Sequence, residues 1–148
     1  METVKIVISL PPKCLSPNAR VHWGQRSKAN KEHRTAAAFN MDVGLLDTQL
    51  GGDWSTTTIK PVFFFNTKHK RDRDNCSAML KAARDGIADA MIRHGLVKDD
   101  SGFIPLPAAL DYDKHLPRVE IIISARPDLG HRLDPADSLW TREEQGLV

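Results

Sequence analysis

The side chains best suited to chemistry lie in the segment Arg71-Asp72-Arg73-Asp74-Asn75 and in Asp99-Asp100, about 25 residues further on. Asp72 and Asp74 stand two apart. On an extended chain, residues i and i+2 point to the same face, so this spacing predicts two converging carboxylates. Such a pair repels itself unless a positive charge sits between its members. A hard divalent cation with oxygen ligands answers that need, and Asp100 is the candidate third ligand. Lys81 follows Asp74 by seven residues, about two helical turns, and is expected on the same side of a helix. A lysine there could neutralise charge that develops on a reacting phosphate. Asp85 is four residues beyond Lys81 and is expected to pair with it. Each feature also has an ordinary explanation. A DxD flanked by arginines is often a solvated turn, Asp-Asp-Ser-Gly is common turn chemistry, and Lys81 alone reads as an exposed helix lysine.

These residues need elements to position them. Val4–Leu10 is rich in β-branched residues and halts at Pro11-Pro12, which predicts a strand. From Lys28 to about Leu46 there is no proline. Ala36, Ala37, Phe39, Asn40, Val43 and Leu46 give a partly apolar helical face. Thr56–Asn66 reads as a strand, and Pro61 within it points to an edge or a bulge. Cys76–His94 reads as one helix with Leu80, Ala83, Ile87, Ala90 and Met91 on its buried stripe. Asp74 or Asn75 is its expected N-cap, Gly95 its expected stop, and His94 a cation of its last turn. Phe103–Leu110 is apolar but interrupted by two prolines. Val119–Ala125 is a strand. The order β–α–β–α–(β)–β implies a small α/β or α+β domain: one mixed sheet with two main helices against it. That domain is expected over residues 1–125. Residues 126–148 read as a C-terminal extension, partly flexible or docked on the surface.

Bulk composition narrows the function classes. A chain of 148 residues suits one domain. No segment approaches ~18 consecutive apolar residues, so no membrane span is expected. The N-terminus reads as a strand and not as a secretory signal. Cys14 and Cys76 fit no zinc spacing and are expected to be reduced. A cytoplasmic location is therefore expected. Net charge is only +2, yet the cations are clustered. Arg20, Arg26, Lys28 and Lys31 form one group; Lys68, Lys70, Arg71 and Arg73 form another. Such patches attract phosphates, though solvated surface runs look the same.

In combination, RDRDN, LKAARDGI and HGLVKDDS, in that order, resemble the RusA family of Holliday junction resolvases, often carried by phages and prophages. The likeness extends more loosely to Pro11, Pro12, Asn18 and Arg20 and to the last strand, over roughly residues 4–125. It implies a RusA-like fold and a homodimer that cuts four-way junctions and other branched DNA symmetrically. It implies Mg²⁺, with Mn²⁺ able to substitute, held by Asp72, Asp74 and Asp100, with Lys81 as a functional lysine. Lys68, Lys70, Arg71 and Arg73 would grip DNA, with Arg20, Arg26, Lys28 and Lys31 as further contacts. The chain departs from the family pattern in its longer Asp74–Lys81 and Lys81–Asp100 separations, each by about one helical turn. Two other classes stay open: a non-catalytic protein that binds branched DNA, and a structural protein whose acids serve only in turns.

Overall fold

The computed structural model describes residues 2–46 and 52–126. The elements are β1 (Thr3–Ile8), a 3-10 turn at Lys13–Leu15, α1 (Trp23–Leu46), β2 (Asp53–Phe65), α2 (Arg73–Ala78), α3 (Lys81–Arg93), β3 (Phe103–Pro105), β4 (Ala109–Tyr112) and β5 (Arg118–Arg126). They form the α+β domain expected from the sequence. The sheet runs β1-β5-β2-β3, and β4 continues the β3 edge against β2. β5 is antiparallel to both β1 and β2, so β1 and β2 point the same way; β3 and β4 run parallel to β2. The sheet therefore has an upper end, where β1, β2 and β4 finish, and a lower end, where β2 and β3 begin.

One face of the sheet carries the core. Val4, Ile6 and Ile8 of β1, Ile59 and Phe63 of β2, and Val119, Ile121 and Ile123 of β5 are buried there, while Thr3, Lys5 and Val7 alternate outward. This is the period of two that one-sided burial imposes. The stripe predicted on the second helical segment is fully buried: Leu80, Ala83, Ile87, Ala90 and Met91 all join the same cluster. Gly95 stops α3 at φ +73°, and the Leu96 N–H reaches back to the Met91 carbonyl at 2.9 Å. A glycine is needed at this left-handed position.

α1 and α3 run in the same direction, from the upper end to the lower. Arg34 chelates Asp89 at 2.7 and 2.8 Å, and Asp42 accepts from Arg93 at 2.6 Å and meets His94 at 3.1 Å. Gly86 lets the two backbones touch: a Cβ there would collide with the Arg34 carbonyl. His22 caps α1, its Nδ1 accepting from the Gly24 N–H at 3.1 Å.

Four local expectations are corrected. The buried face of α1 is Ala29, His33, Ala37, Met41 and Leu45, whereas Phe39, Val43 and Leu46 are exposed. The core prefers the small-residue face because β1 lies close; a Cβ on Gly44 would sit 2.7 Å from Val4. Pro61 lies in an interior strand and not at an edge. Its missing N–H is tolerated because it falls between the residues paired with β3 (through Ile59) and those paired with β4 (from Val62). The helix expected over 76–94 is two helices, broken at Met79-Leu80. Its N-cap is Asp72, neither Asp74 nor Asn75. Of the extension expected over residues 126–148, Arg126 is the last residue of β5 and residues 127–148 lie outside the described residues. Both cysteines are free thiols. No helix among the described residues is long and apolar enough to cross a membrane.

Candidate functional site

The loop after β1 and the loop after β2 leave the sheet at the same end, separated by one strand. Between them lies an open cleft of about 760 Å³. Leu10, Pro11, Phe63, Phe65, Cys76 and Met79 supply its apolar lining; Asn18, Asn75, Lys13, His69, Arg71 and Asp72 supply its polar rim. Phe63 and Phe65 stack with ring centroids 5.6 Å apart and 18° between planes. The Arg71 guanidinium lies 3.8 Å from the centre of the Phe65 ring. Its nitrogens also bond the Thr67 carbonyl, the His69 carbonyl and the Thr67 hydroxyl at 2.8–3.0 Å. Arg71 thus holds the whole 67–71 loop in shape.

Asp72 is the extended N-cap of α2, and its Oδ1 accepts from the Asn75 N–H at 3.1 Å. Asp74 lies in the first helical turn and is exposed. This pair is not the expected i, i+2 pair of an extended chain: Asp72 is extended, but Asp74 is already helical. The two remain neighbours on one exposed rim.

Asp100 is not with them. Its carbonyl accepts from the Phe103 N–H at 3.0 Å, and Phe103 pairs with Thr57 near the start of β2. Asp72 follows the end of that strand. Thr57 to Phe65 spans eight steps of β-strand, about 26 Å. Within one chain the expected three-carboxylate cluster does not form. Among the described residues no three His, Cys, Asp or Glu side chains are grouped to hold a cation. The acids that the topology does bring to the upper end are Asp111 and Asp113 of the β4 region. Asp113 is taken by Arg118 at 2.8 Å, which holds its carboxyl below the usual range.

Lys81 is also displaced from its expected place. It bonds Asp85 at 3.2 Å, as foreseen, but lines a separate groove of about 420 Å³ with Asn30, Lys31, Arg34 and Ala82. The break at Met79-Leu80 removes the continuous helix that would have kept it in phase with Asp74.

The predicted cationic contacts divide into two kinds. Arg20, Lys70 and Arg73 are exposed, with no side-chain bond among those found in the described residues. Lys68 is exposed and sits 4.8 Å above the Tyr112 ring. Lys28 makes only a loose 4.0 Å pair with Glu32. Arg71 and Arg26 serve the fold, Arg26 by donating to the Ala19 carbonyl at 2.7 Å. Sequence reasoning missed Lys13 and the apolar cleft. Their convergence depends on two parallel strands separated by a third, which no local pattern announces.

No protein-family model matches the chain. A protein of Xylella fastidiosa (strain Temecula1 / ATCC 700964), itself described only as uncharacterized, is 37% identical over 128 residues. That match covers 80% of this chain and 74% of the other. The chain belongs to the same family as that protein.

Proposed function

We propose that the protein is a structure-specific endodeoxyribonuclease that hydrolyses phosphodiester bonds in branched DNA, four-way junctions included, and acts in the cytoplasm as a homodimer. The observation that carries this reading is the upper end of the sheet. A cation-rimmed cleft there has Asp72 on its wall and Asp74 beside it, in the sequence context RDRDN…KDDS. Lys13, Lys68, Lys70 and Arg73 would hold phosphates by charge, and DNA shape would set the choice of substrate.

The proposed Mg²⁺ requirement meets a clear difficulty. The carboxylates of one chain do not form a cation site, because Asp100 is at the far end of the sheet. If the three acids act together, a second copy must supply the third. A two-fold dimer that sets the lower end of one protomer against the upper end of its partner would build two identical sites. Two sites related in this way match the near two-fold symmetry of a four-way junction.

Cleavage of a synthetic junction in Mg²⁺ tests the reading, with Asp72→Asn expected to abolish it. Mixing Asp72→Asn with Asp100→Asn protein tests the shared site. Random pairing leaves one intact site in each mixed dimer, so about a quarter of the wild-type rate should return. A wild-type protein inert on every branched substrate overturns the nuclease reading. The separation of the acids favours one alternative, a protein that binds branched DNA without cutting it. Junction gel shifts with no cleavage in Mg²⁺ or Mn²⁺ would establish that alternative.

A further inference from the structure

We propose that the upper cleft is a pocket for one unpaired nucleobase of the bound DNA strand, stacked on the outer face of the Arg71 guanidinium. The proposal rests on the DNA-directed reading above and adds what the cleft itself recognises. A groove that only tracked a phosphate backbone would need cations and little else. This one has an apolar interior made by Leu10, Pro11, Phe63, Phe65 and Met79, with a volume in the range of small-molecule sites. Planar groups cluster at its wall: Phe63 stacks with Phe65 at 5.6 Å, and the Arg71 guanidinium carbon lies 3.8 Å from the centre of the Phe65 ring. Hydrogen bonds to Thr67 and His69 hold the guanidinium in place against the Phe65 ring, on the wall of the cleft. Nucleobases stack on arginine planes as they do on aromatic rings. The amides of Asn18 and Asn75 line the same cleft and can each offer a donor and an acceptor to a base edge. Lys13 and His69 stand at the rim, where the phosphate attached to that base would lie. A base inside a duplex cannot enter such a cleft. Bases at a branch point can, because they are unstacked at least cost there.

Binding is measured by fluorescence anisotropy in EDTA, so that no strand is cut. The junction carries either a normal nucleotide or an abasic one at the branch point. Removing the base is expected to weaken binding about tenfold or more. Arg71→Lys keeps the charge but loses the plane, and Ala19→Phe puts a bulky ring into the cleft, which Ala19 also lines. Each should bind the normal junction no better than the abasic one, and for Ala19→Phe, which leaves the 67–71 loop and its cations untouched, affinity for the abasic junction should hold within about twofold. Thermal melting confirms that the two variants are folded. Equal affinity of the wild type for normal and abasic junctions overturns the proposal, even if the junction is still cleaved in Mg²⁺. Absence of any junction binding overturns both this proposal and the reading beneath it. Displacement of the junction by micromolar free deoxynucleoside monophosphate would assign the cleft to a small nucleotide and also overturns it.

Discussion

The two ends of the sheet are built from similar turn chemistry but present different surfaces. At the upper end the loops after β1 and β2 bring together Lys13, Lys68, His69, Lys70, Arg71 and Arg73 around Asp72 and Asp74. At the lower end Asp53, Asp99 and Asp100 sit in small turns, and Arg93 is tied to Asp42. Asp53 and Asp99 each accept from an N–H two residues on, and the hydroxyl of that serine (Ser55, Ser101) together with its N–H holds both carboxyls below their ordinary values. Asp99 is thus explained by its turn, and Asp100 is exposed, with no side-chain contact found among the described residues.

The contrast can be tested at several strengths. The largest expected effect is at the backbone contacts that fix the lower end. A Cβ on Gly102 would collide with the Ser55 carbonyl, which positions β3 and with it Asp100. Gly102→Ala is expected to cost about 3 kcal/mol in urea unfolding. A loss under ~0.5 kcal/mol would mean that the lower end yields easily. Next, the double change Lys68→Glu and Lys70→Glu should weaken junction binding at least about tenfold and flatten its salt dependence by roughly two counterions. Lys98→Glu at the other end should change neither by more than about twofold. Binding isotherms at several salt concentrations would show whether the ends differ as described.

A smaller effect separates the acids themselves. Asp72 caps a helix, so Asp72→Ala should destabilise the fold by about 1 kcal/mol, whereas Asp100→Ala should stay within about 0.5 kcal/mol. Equal losses in denaturant melts would remove the distinction. The smallest effect belongs to His33, buried midway along α1. Its ring nitrogens make no well-formed hydrogen bond, the Ser9 backbone being the polar neighbour, and burial pushes its imidazole below the ordinary 6.5. Below that pH the unfolded chain takes up a proton that the folded chain resists, so stability should fall as pH drops through and below about 6.5. A His33→Gln variant should lose that part of the slope in melting curves.

Much of the fold was legible in the sequence for identifiable reasons. Alternation in Val4–Ile8 and Val119–Ala125 marks strands because only one face of the sheet is covered. The stripe from Leu80 to Met91 is legible because its large side chains all face one way. The phase of α1 is not legible because the helix has two apolar faces. The larger residues, Phe39, Val43 and Leu46, point to solvent, and the alanines pack where backbones must approach. The site was legible only in part. Asp72 and its basic neighbours are local in sequence and share one loop. For Asp100 and Lys81 the sequence offers only spacing, and spacing says nothing about which end of a sheet a turn occupies or where a helix breaks.

The shared direction of α1 and α3 has a consequence beyond packing. Antiparallel helices cancel one another's dipoles; these two add, and both begin at the end where the cationic loops lie. That arrangement sets like partial charges side by side, and the crosslinks from Arg34 to Asp89 and from Arg93 to Asp42 oppose the repulsion. The resulting positive potential comes from peptide groups that do not titrate. It therefore persists at every pH at which the two helices stay folded.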